Sequence, residues 1–350
     1  MRGAQAGRPF PEDAPVSQPP FKVLVTTRQF DAAAVRYLED NGCAVVPSGL
    51  APDAMDSDIP DADLHRLLEG ASGWIVGQRV VARPVLAAHP DLVVIARRGV
   101  GHDRVDSAAA RELGRVVTIA AGSNDGAVAD HALALMLAVA RRLKENNARI
   151  LAGDWRVAGG VDLTGKTVGL IGFGRTAKGV ARRLAGFDAK VLVATPRFDP
   201  AAAGPHVRPV PLDVLLAESD VVSLHAPLIP ATRHLIGKEA LARMKPDAIL
   251  VNTGRGGLVD DAALLEALTA GHLFGAGLDV FECEEDEAKR PIAEALAALP
   301  QVVATPHVAA STKEALALGN MISARCVVAT LTGAPMPAGC VVVDGRAGAV

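Results

Sequence analysis

Residues 167–184 read TVGLIGFGRTAKGVARRL, and the reading of this stretch decides the fold. TVGLI is a short aliphatic run ending in glycine, the pattern of a buried strand. KGVARRLAGF, which follows, has helical spacing. Between them stands Gly172-Phe173-Gly174-Arg175-Thr176-Ala177, a G-x-G-x-x-A turn. Gly172 permits the tight bend, Gly174 lets the backbone approach a pyrophosphate, and Ala177 allows close helix–strand contact. Arg175 and Thr176 open the helix, whose N-terminal N–H groups and dipole favour an anion. A glycine pattern alone says little. With strand, turn and helix in order it predicts a dinucleotide-binding α/β unit.

The same alternation extends in both directions. FKVLVTT, CAVVPS, GWIVG and LVVIARRG are strand candidates between Phe21 and Gly122, with helical segments between them. KVLVAT, DVVSLHA, AILVNTG, GAGLDV and VVATPH follow the glycine turn. Strands alternating with helices predict parallel, doubly wound sheets. DGAVADHALALMLAVARRLKENNARI, residues 125–150, reads as one long helix capped by Asp125. A final helix is expected from about Thr312 to Leu331. No internal repeat is visible.

An acidic residue usually ends the second strand of such a unit and holds the ribose hydroxyls. Here KVLVATPR places Thr195 at that point, with Arg197 two residues on. Threonine does not repel a 2′-phosphate, and a guanidinium can pair with one. Arg197 reads equally well as a solvated loop residue. NAD and NADP both remain open, with a lean to NADP.

Composition narrows the function classes. The chain has 350 residues, half of them hydrophobic, only 3% aromatic, and a formal charge of −3. Length suggests two domains. So few aromatic rings disfavour base stacking, and no basic footprint marks a nucleic-acid or membrane partner. The four cysteines are widely separated, as in a cytoplasmic protein with reduced thiols, and no Cys or His cluster has metal-ligand spacing. The Pro-rich first twenty residues have no apolar core and read as a flexible tail. The apolar run Ala132 to Ala140 is about half of what a membrane span needs.

Four polar residues each follow an apolar strand, where open α/β sheets place ligands. They are Arg255, Asp279, Glu284 and His307. A guanidinium binds a carboxylate bidentately, an imidazole exchanges protons with a hydroxyl or carbonyl oxygen, and a carboxylate orients the imidazole. Taken singly, each has a plain alternative. Arg255 fits a cap or surface group, His307 a loop histidine, and Asp279 a turn cap. Glu284 sits in the acidic run ECEEDE, which alone reads as a solvated face.

Together with GVGHDRVD (99–106), GSNDGAVADHALALMLAVAR (122–141), ESDVVSLHAPLIPATRHLIG (218–237), GAGLDVFECE (275–284) and TPHVAAST (305–312), these segments resemble the D-isomer-specific 2-hydroxyacid dehydrogenase family. That family includes D-3-phosphoglycerate dehydrogenase, glyoxylate/hydroxypyruvate reductase and formate dehydrogenase. The likeness covers nearly the whole chain beyond the tail.

The resemblance implies two Rossmann-like α/β domains separated by a cleft that closes on substrate. An NAD(P)-binding domain would span 123–310. A discontinuous, flavodoxin-like substrate domain would take 21–122 with 311–350. It also implies roles. Arg255 binds the substrate carboxylate and keto oxygen, His307 is the general acid/base, and Glu284 is its partner. Asp279 holds the nicotinamide carboxamide. Val100 and Gly101 offer backbone N–H groups to the substrate. His225, Pro227, Thr232 and Thr253 line the cofactor, and Asn124 matches a residue near the hinge. The implied reaction moves a hydride between NAD(P)H and a small 2-keto or 2-hydroxy acid, in a homodimer joined through the Ala132–Ala140 helix. Formate or phosphite as substrate, and a non-catalytic dinucleotide sensor, are the competing readings.

The chain also departs from the family pattern. Glu285 stands where proline is usual, a change expected either to alter the local turn or to act on His307 through its charge. Asp130 replaces a Glu, Thr195 replaces the ribose-binding Asp, and Arg79 is the one basic residue in GWIVGQRVV.

Overall fold

The computed structural model describes residues 21–51 and 54–348, so the expected tail lies outside the described residues. The chain divides into two compact units. One holds the described residues up to Ala121 and those from Ala317 on; the other is Gly122–Leu316.

The first unit is built from β1 (Phe21–Val25), α1 (Ala32–Asp40), β2 (Cys43–Pro47), α2 (Asp61–Leu68), β3 (Gly73–Val76), α3 (Arg83–Ala88), β4 (Val94–Arg97), α4 (Ser107–Glu112) and β5 (Val116–Ile119). The second contains α5 (Asp125–Ala140), α6 (Leu143–Leu151), β6 (Thr167–Ile171), α7 (Arg175–Leu184), β7 (Lys190–Ala194), β8 (Val207–Pro209), α8 (Leu212–Glu218) and β9 (Val221–Leu224). It continues with α9 (Lys238–Arg243), β10 (Ile249–Asn252), α10 (Asp261–Thr269), β11 (Gly275–Leu278), α11 (Arg290–Ala298) and β12 (Val302–Ala304). Helix α12 (Lys313–Thr332) carries the chain back to the first unit, which ends with β13 (Val341–Asp344).

The first sheet has the order β2-β1-β3-β4-β5-β13, parallel except for β13, which runs antiparallel to β5. Without β13 this is the flavodoxin-like order. The second sheet, β8-β7-β6-β9-β10-β11-β12, is parallel throughout and has the dinucleotide-binding order. Both sheets are buried on two faces, so their strands are continuously apolar rather than alternating. Period 2 still sorts the side chains. In the second sheet Val221, Ile249 and Val251 pack on one side, and Val222, Leu224 and Leu250 on the other.

Helix α5 is apolar because its own unit covers it. Leu133, Leu135, Met136 and Val139 pack with Val168, Val191 and Ile249. Two expectations about this region are corrected. The helix is not continuous to residue 150, because Arg142 is left-handed (φ 47) and separates α5 from α6. Asp125 is the first helical residue rather than the cap, which is Asn124. Helix α12 is long and apolar enough for a membrane span by composition. In the fold it sets Ala324, Val327 and Val328 against Val23, Ile75 and Val94.

Strands β5, β8 and β13 were not among the expected strands. β8 has three residues and β13 pairs by its edge, so neither has a strong local signal.

Candidate active site

Because every strand of the second sheet points the same way, their carboxyl ends share one edge. The expected site residues of this unit all follow those ends. Gly172 to Thr176 leave β6, Thr195 and Arg197 leave β7, and His225, Pro227 and Thr232 leave β9. Thr253 and Arg255 leave β10, Asp279 and Glu284 leave β11, and His307 leaves β12.

At the first of these turns Gly172 has φ 91, and a Cβ there would lie 2.7 Å from the His225 carbonyl oxygen. No larger residue fits. Gly174 is the N-cap of α7, and a Cβ on it would meet no protein atom within 4 Å. Arg175 reaches to 4.0 Å from Asp125 and is mostly exposed. A cleft of about 650 Å³ opens beside the turn, lined by Phe173, Arg175, Lys178 and His206 among others; Arg255, Glu284 and His307 do not line it.

Thr195 Oγ1 accepts the Arg197 amide at 3.4 Å and lies 3.2 Å from its carbonyl, closing a small turn that leaves Arg197 exposed. Burial pushes the His225 imidazole down to about 4, so it is neutral at physiological pH, with Nε2 3.0 Å from Ser223 Oγ. Thr232 donates to the Pro227 carbonyl at 2.7 Å. Thr253 is buried, and among the described residues its hydroxyl has no hydrogen-bond partner. An orphaned hydroxyl, an open N-cap glycine and an exposed helix N-terminus fit a dinucleotide.

His307 Nδ1 lies 2.6 Å from Glu284 Oε2. The carboxylate is an acceptor, so Nδ1 carries the hydrogen and Nε2 is left as the working nitrogen. His307 holds a left-handed backbone (φ 52), with its amide donating to Asp279 O at 2.8 Å. A non-glycine residue in that region is costly and is kept where the surroundings impose it. Arg255 Nη1 donates to the Gly254 carbonyl at 2.8 Å. In the first unit, Val100 and Gly101 sit on the loop leaving β4, where Arg97 Nε donates to Gly101 O at 3.0 Å.

Asp279 is buried. Its side chain is 0% exposed, and Thr305 Oγ1 (2.6 Å), Val308 N (2.8 Å) and Ala309 N (2.9 Å) all donate to it. Burial alone would raise its pKa. Hydrogen bonds from His131, Thr305 and the two amides outweigh that and hold it below the ordinary range. This enclosed carboxylate is held by side-chain and backbone donors. It fixes the loop that carries His307. His131, whose Nε2 is 3.0 Å from Thr305 Oγ1, completes this network from α5.

Within the acidic run Glu282 is enclosed, while Glu284 to Glu287 are exposed. Glu282 is buried and accepts His234 Nε2 at 2.6 Å and Lys289 Nζ at 2.5 Å. Glu285 pairs with Arg233 at 2.9 Å. Asp286 caps the next turn through Ala288 N, and Glu287 pairs with Arg290. Beneath Glu284, Glu282 faces Asp261, which begins α10. Burial, with Glu282 nearby, pushes the Asp261 carboxyl up to about 6.

The family profile described as "D-isomer specific 2-hydroxyacid dehydrogenase, NAD binding domain" matches residues 133–309. The chain is 43% identical over 285 residues to the D-3-phosphoglycerate dehydrogenase of Mycobacterium tuberculosis, covering 80% of this chain and 53% of that one. It is 42% identical over 241 residues to the hydroxypyruvate reductase of Thermotoga maritima, covering 67% of this chain and 76% of that one. This chain belongs to the D-isomer specific 2-hydroxyacid dehydrogenase family. A solved structure of the D-lactate dehydrogenase from Aquifex aeolicus, complexed with NAD and lactic acid, superposes with a TM-score of 0.78 at 28% identity. The match covers 89% of this chain and 96% of that one. The chain spans about half the length of the phosphoglycerate dehydrogenases it matches.

Family membership accounts for an NAD-binding domain, and the glycine turn of β6 lies within the matched residues. His131, His234, Asp261, Glu282 and Thr305 were missed by motif reading. Each acts through a contact distant in sequence, so no local pattern marks it.

Asp261 gives a test of the buried pair. Folded, it keeps its proton to about pH 6; unfolded, it loses it near 3.8. The folded state binds the extra proton, so stability is highest below about pH 4 and falls as pH rises through 6, by up to ~3 kcal/mol. Asp261→Asn removes the charge and keeps an acceptor for the Glu282 amide. In thermal melts it should be more stable than the parent at pH 8 and lose that advantage near pH 4. An equal offset at both pH values would show that the carboxyl does not titrate in this range.

Proposed function

We propose that the chain is an NAD(P)-dependent D-2-hydroxyacid dehydrogenase acting on a small 2-keto acid. The observation that carries this reading is the His307–Glu284 pair on the same sheet edge as Arg255 and the glycine turn of β6. Gly172, Gly174, Arg175 and Thr176 would hold the cofactor pyrophosphate, and Thr253 would give its unpaired hydroxyl to the same molecule. Once bound, the cofactor supplies or accepts the hydride. Arg255 pairs with the substrate carboxylate and stabilises charge growing on the keto oxygen. His307 Nε2 gives that oxygen its proton on reduction and takes it back on oxidation. Glu284 keeps the imidazole oriented and balances its positive charge.

The same reading assigns the cofactor preference to NADP, supported by Thr195 and exposed Arg197 in place of a ribose-binding carboxylate. It assigns the protein to the cytoplasm, supported by four unpaired cysteines. It takes the working form to be a homodimer, on grounds that differ from those first expected. Helix α5 is covered by its own unit, whereas Leu151, Trp155 and Val157 just beyond it are about four-fifths exposed. Large apolar side chains clustered at a surface mark an interaction site.

NADH and NADPH oxidation, followed by absorbance with glyoxylate, hydroxypyruvate, pyruvate and phosphohydroxypyruvate, tests the activity. Turnover should be lost in His307→Ala by roughly 10³-fold or more. Thr195→Asp should move the preference toward NADH. Cofactor binding without turnover on any of the four acids would overturn the reading.

Light scattering at micromolar concentration should give the mass of a dimer, and Trp155→Glu should give that of a monomer. A monomeric parent would remove the homodimer.

A further inference from the structure

Arg255 and Glu284 come from different strand ends, yet their turns are in backbone contact. The Arg255 turn continues through Gly256–Leu258, and the Glu284 turn is Glu282–Glu284. A Cβ on Gly256 would lie 2.1 Å from the Phe281 carbonyl oxygen and 2.5 Å from the Glu282 amide. Two crossed hydrogen bonds close this contact. The Asp261 amide donates to Glu282 Oε2 at 3.2 Å, and the Glu282 amide donates to Asp261 Oδ2 at 2.9 Å. The other oxygen of Glu282 gathers His234 Nε2 and Lys289 Nζ. The His234 amide in turn donates to Gly257 O at 2.8 Å, from a left-handed residue (φ 52).

One buried carboxylate therefore ties together the segments at 234, 256–261, 281–284 and 289. Both of its oxygens are engaged, Oε2 by the Asp261 amide and Oε1 by His234 and Lys289. Asp260, the cap of α10, and the Arg233–Glu285 pair are the other charges packed around it. Two facing carboxylates are a poor way to stabilise a core, since well-packed apolar residues do as well or better. They are a good way to specify geometry, because carboxylates accept backbone N–H groups only from set directions.

We propose that Glu282 is a positioning residue that fixes the spacing between Arg255 and Glu284. It touches neither substrate nor cofactor. The inference rests on the dehydrogenase reading for its kinetic consequence only.

Cys283, between the two glutamates, gives a readout independent of activity. It is partly exposed, whereas Cys43, Cys326 and Cys340 are at most 2% exposed. Its reaction with an aromatic disulfide reagent therefore reports how well the 282–284 turn is held. In the full chain, Glu282→Ala should lower kcat roughly 10- to 100-fold, as loss of a supporting contact does elsewhere. Cofactor affinity, followed by fluorescence, should stay unchanged, and Cys283 should react several-fold faster. Glu282→Gln keeps an acceptor oxygen for the Asp261 amide and should recover most of both properties.

Parental kcat and thiol rate in Glu282→Ala would overturn the proposal, as would a lowered kcat with an unchanged thiol rate. If Glu282→Ala does not fold, Glu282→Gln decides through its single carbonyl oxygen. Parental values then support the acceptor role, and a lowered kcat with a parental thiol rate overturns it. If the parent turns over no keto acid, the dehydrogenase reading fails, and the thiol rate alone still judges the clamp.

Discussion

Parallel pairing of β6, β9, β10, β11 and β12 is the constraint on which the rest of the site depends. In such a sheet every strand delivers its following loop to the same edge, while a crossover helix returns the chain to the other. Residues more than a hundred positions apart, from Gly172 to His307, are thereby brought to one line. An antiparallel strand at any inner position would send its loop to the opposite edge. Among the described residues the one antiparallel strand, β13, stands at the border of the other sheet, where it costs no such alignment.

Strand ends set only the approximate place of each side chain. Finer placement is made by buried carboxylates that collect backbone N–H groups. Asp279 holds the amides of Val308 and Ala309, next to His307. Glu282 and Asp261 hold each other's amides between the Arg255 and Glu284 turns. The first unit uses the same device. Asp56, 5% exposed, accepts Gly77 N at 2.6 Å, Gln78 N at 2.7 Å and Arg79 N at 3.0 Å where the chain leaves β3. A carboxylate out of water is tolerated only when its oxygens are fully hydrogen-bonded, so each such group carries strong directional constraints. The left-handed backbones of His307 and His234 lie beside two of these hubs, where the surrounding bonds offset the strain.

The sequence by itself determined the features whose cause is local. Aliphatic runs between turn residues marked ten of the strands. Gly172 announced its turn because only glycine suits its positive φ and close approach to the His225 carbonyl. Arg255, Glu284 and His307 were legible because each follows a strand at a spacing the family shares. Tertiary structure decided what depends on distant partners. It broke the helix at Arg142, whose guanidinium lies over the Phe274 ring, 132 residues on in the chain (274 − 142). It enclosed Asp279 and left Thr253 unpaired. It also paired carboxylates of an acidic run, with His234 and Arg233 arriving from another segment. Periodicity reports which way a side chain points from its own element. It holds no information about which charge waits there, because that is fixed only when the sheet brings the segments together.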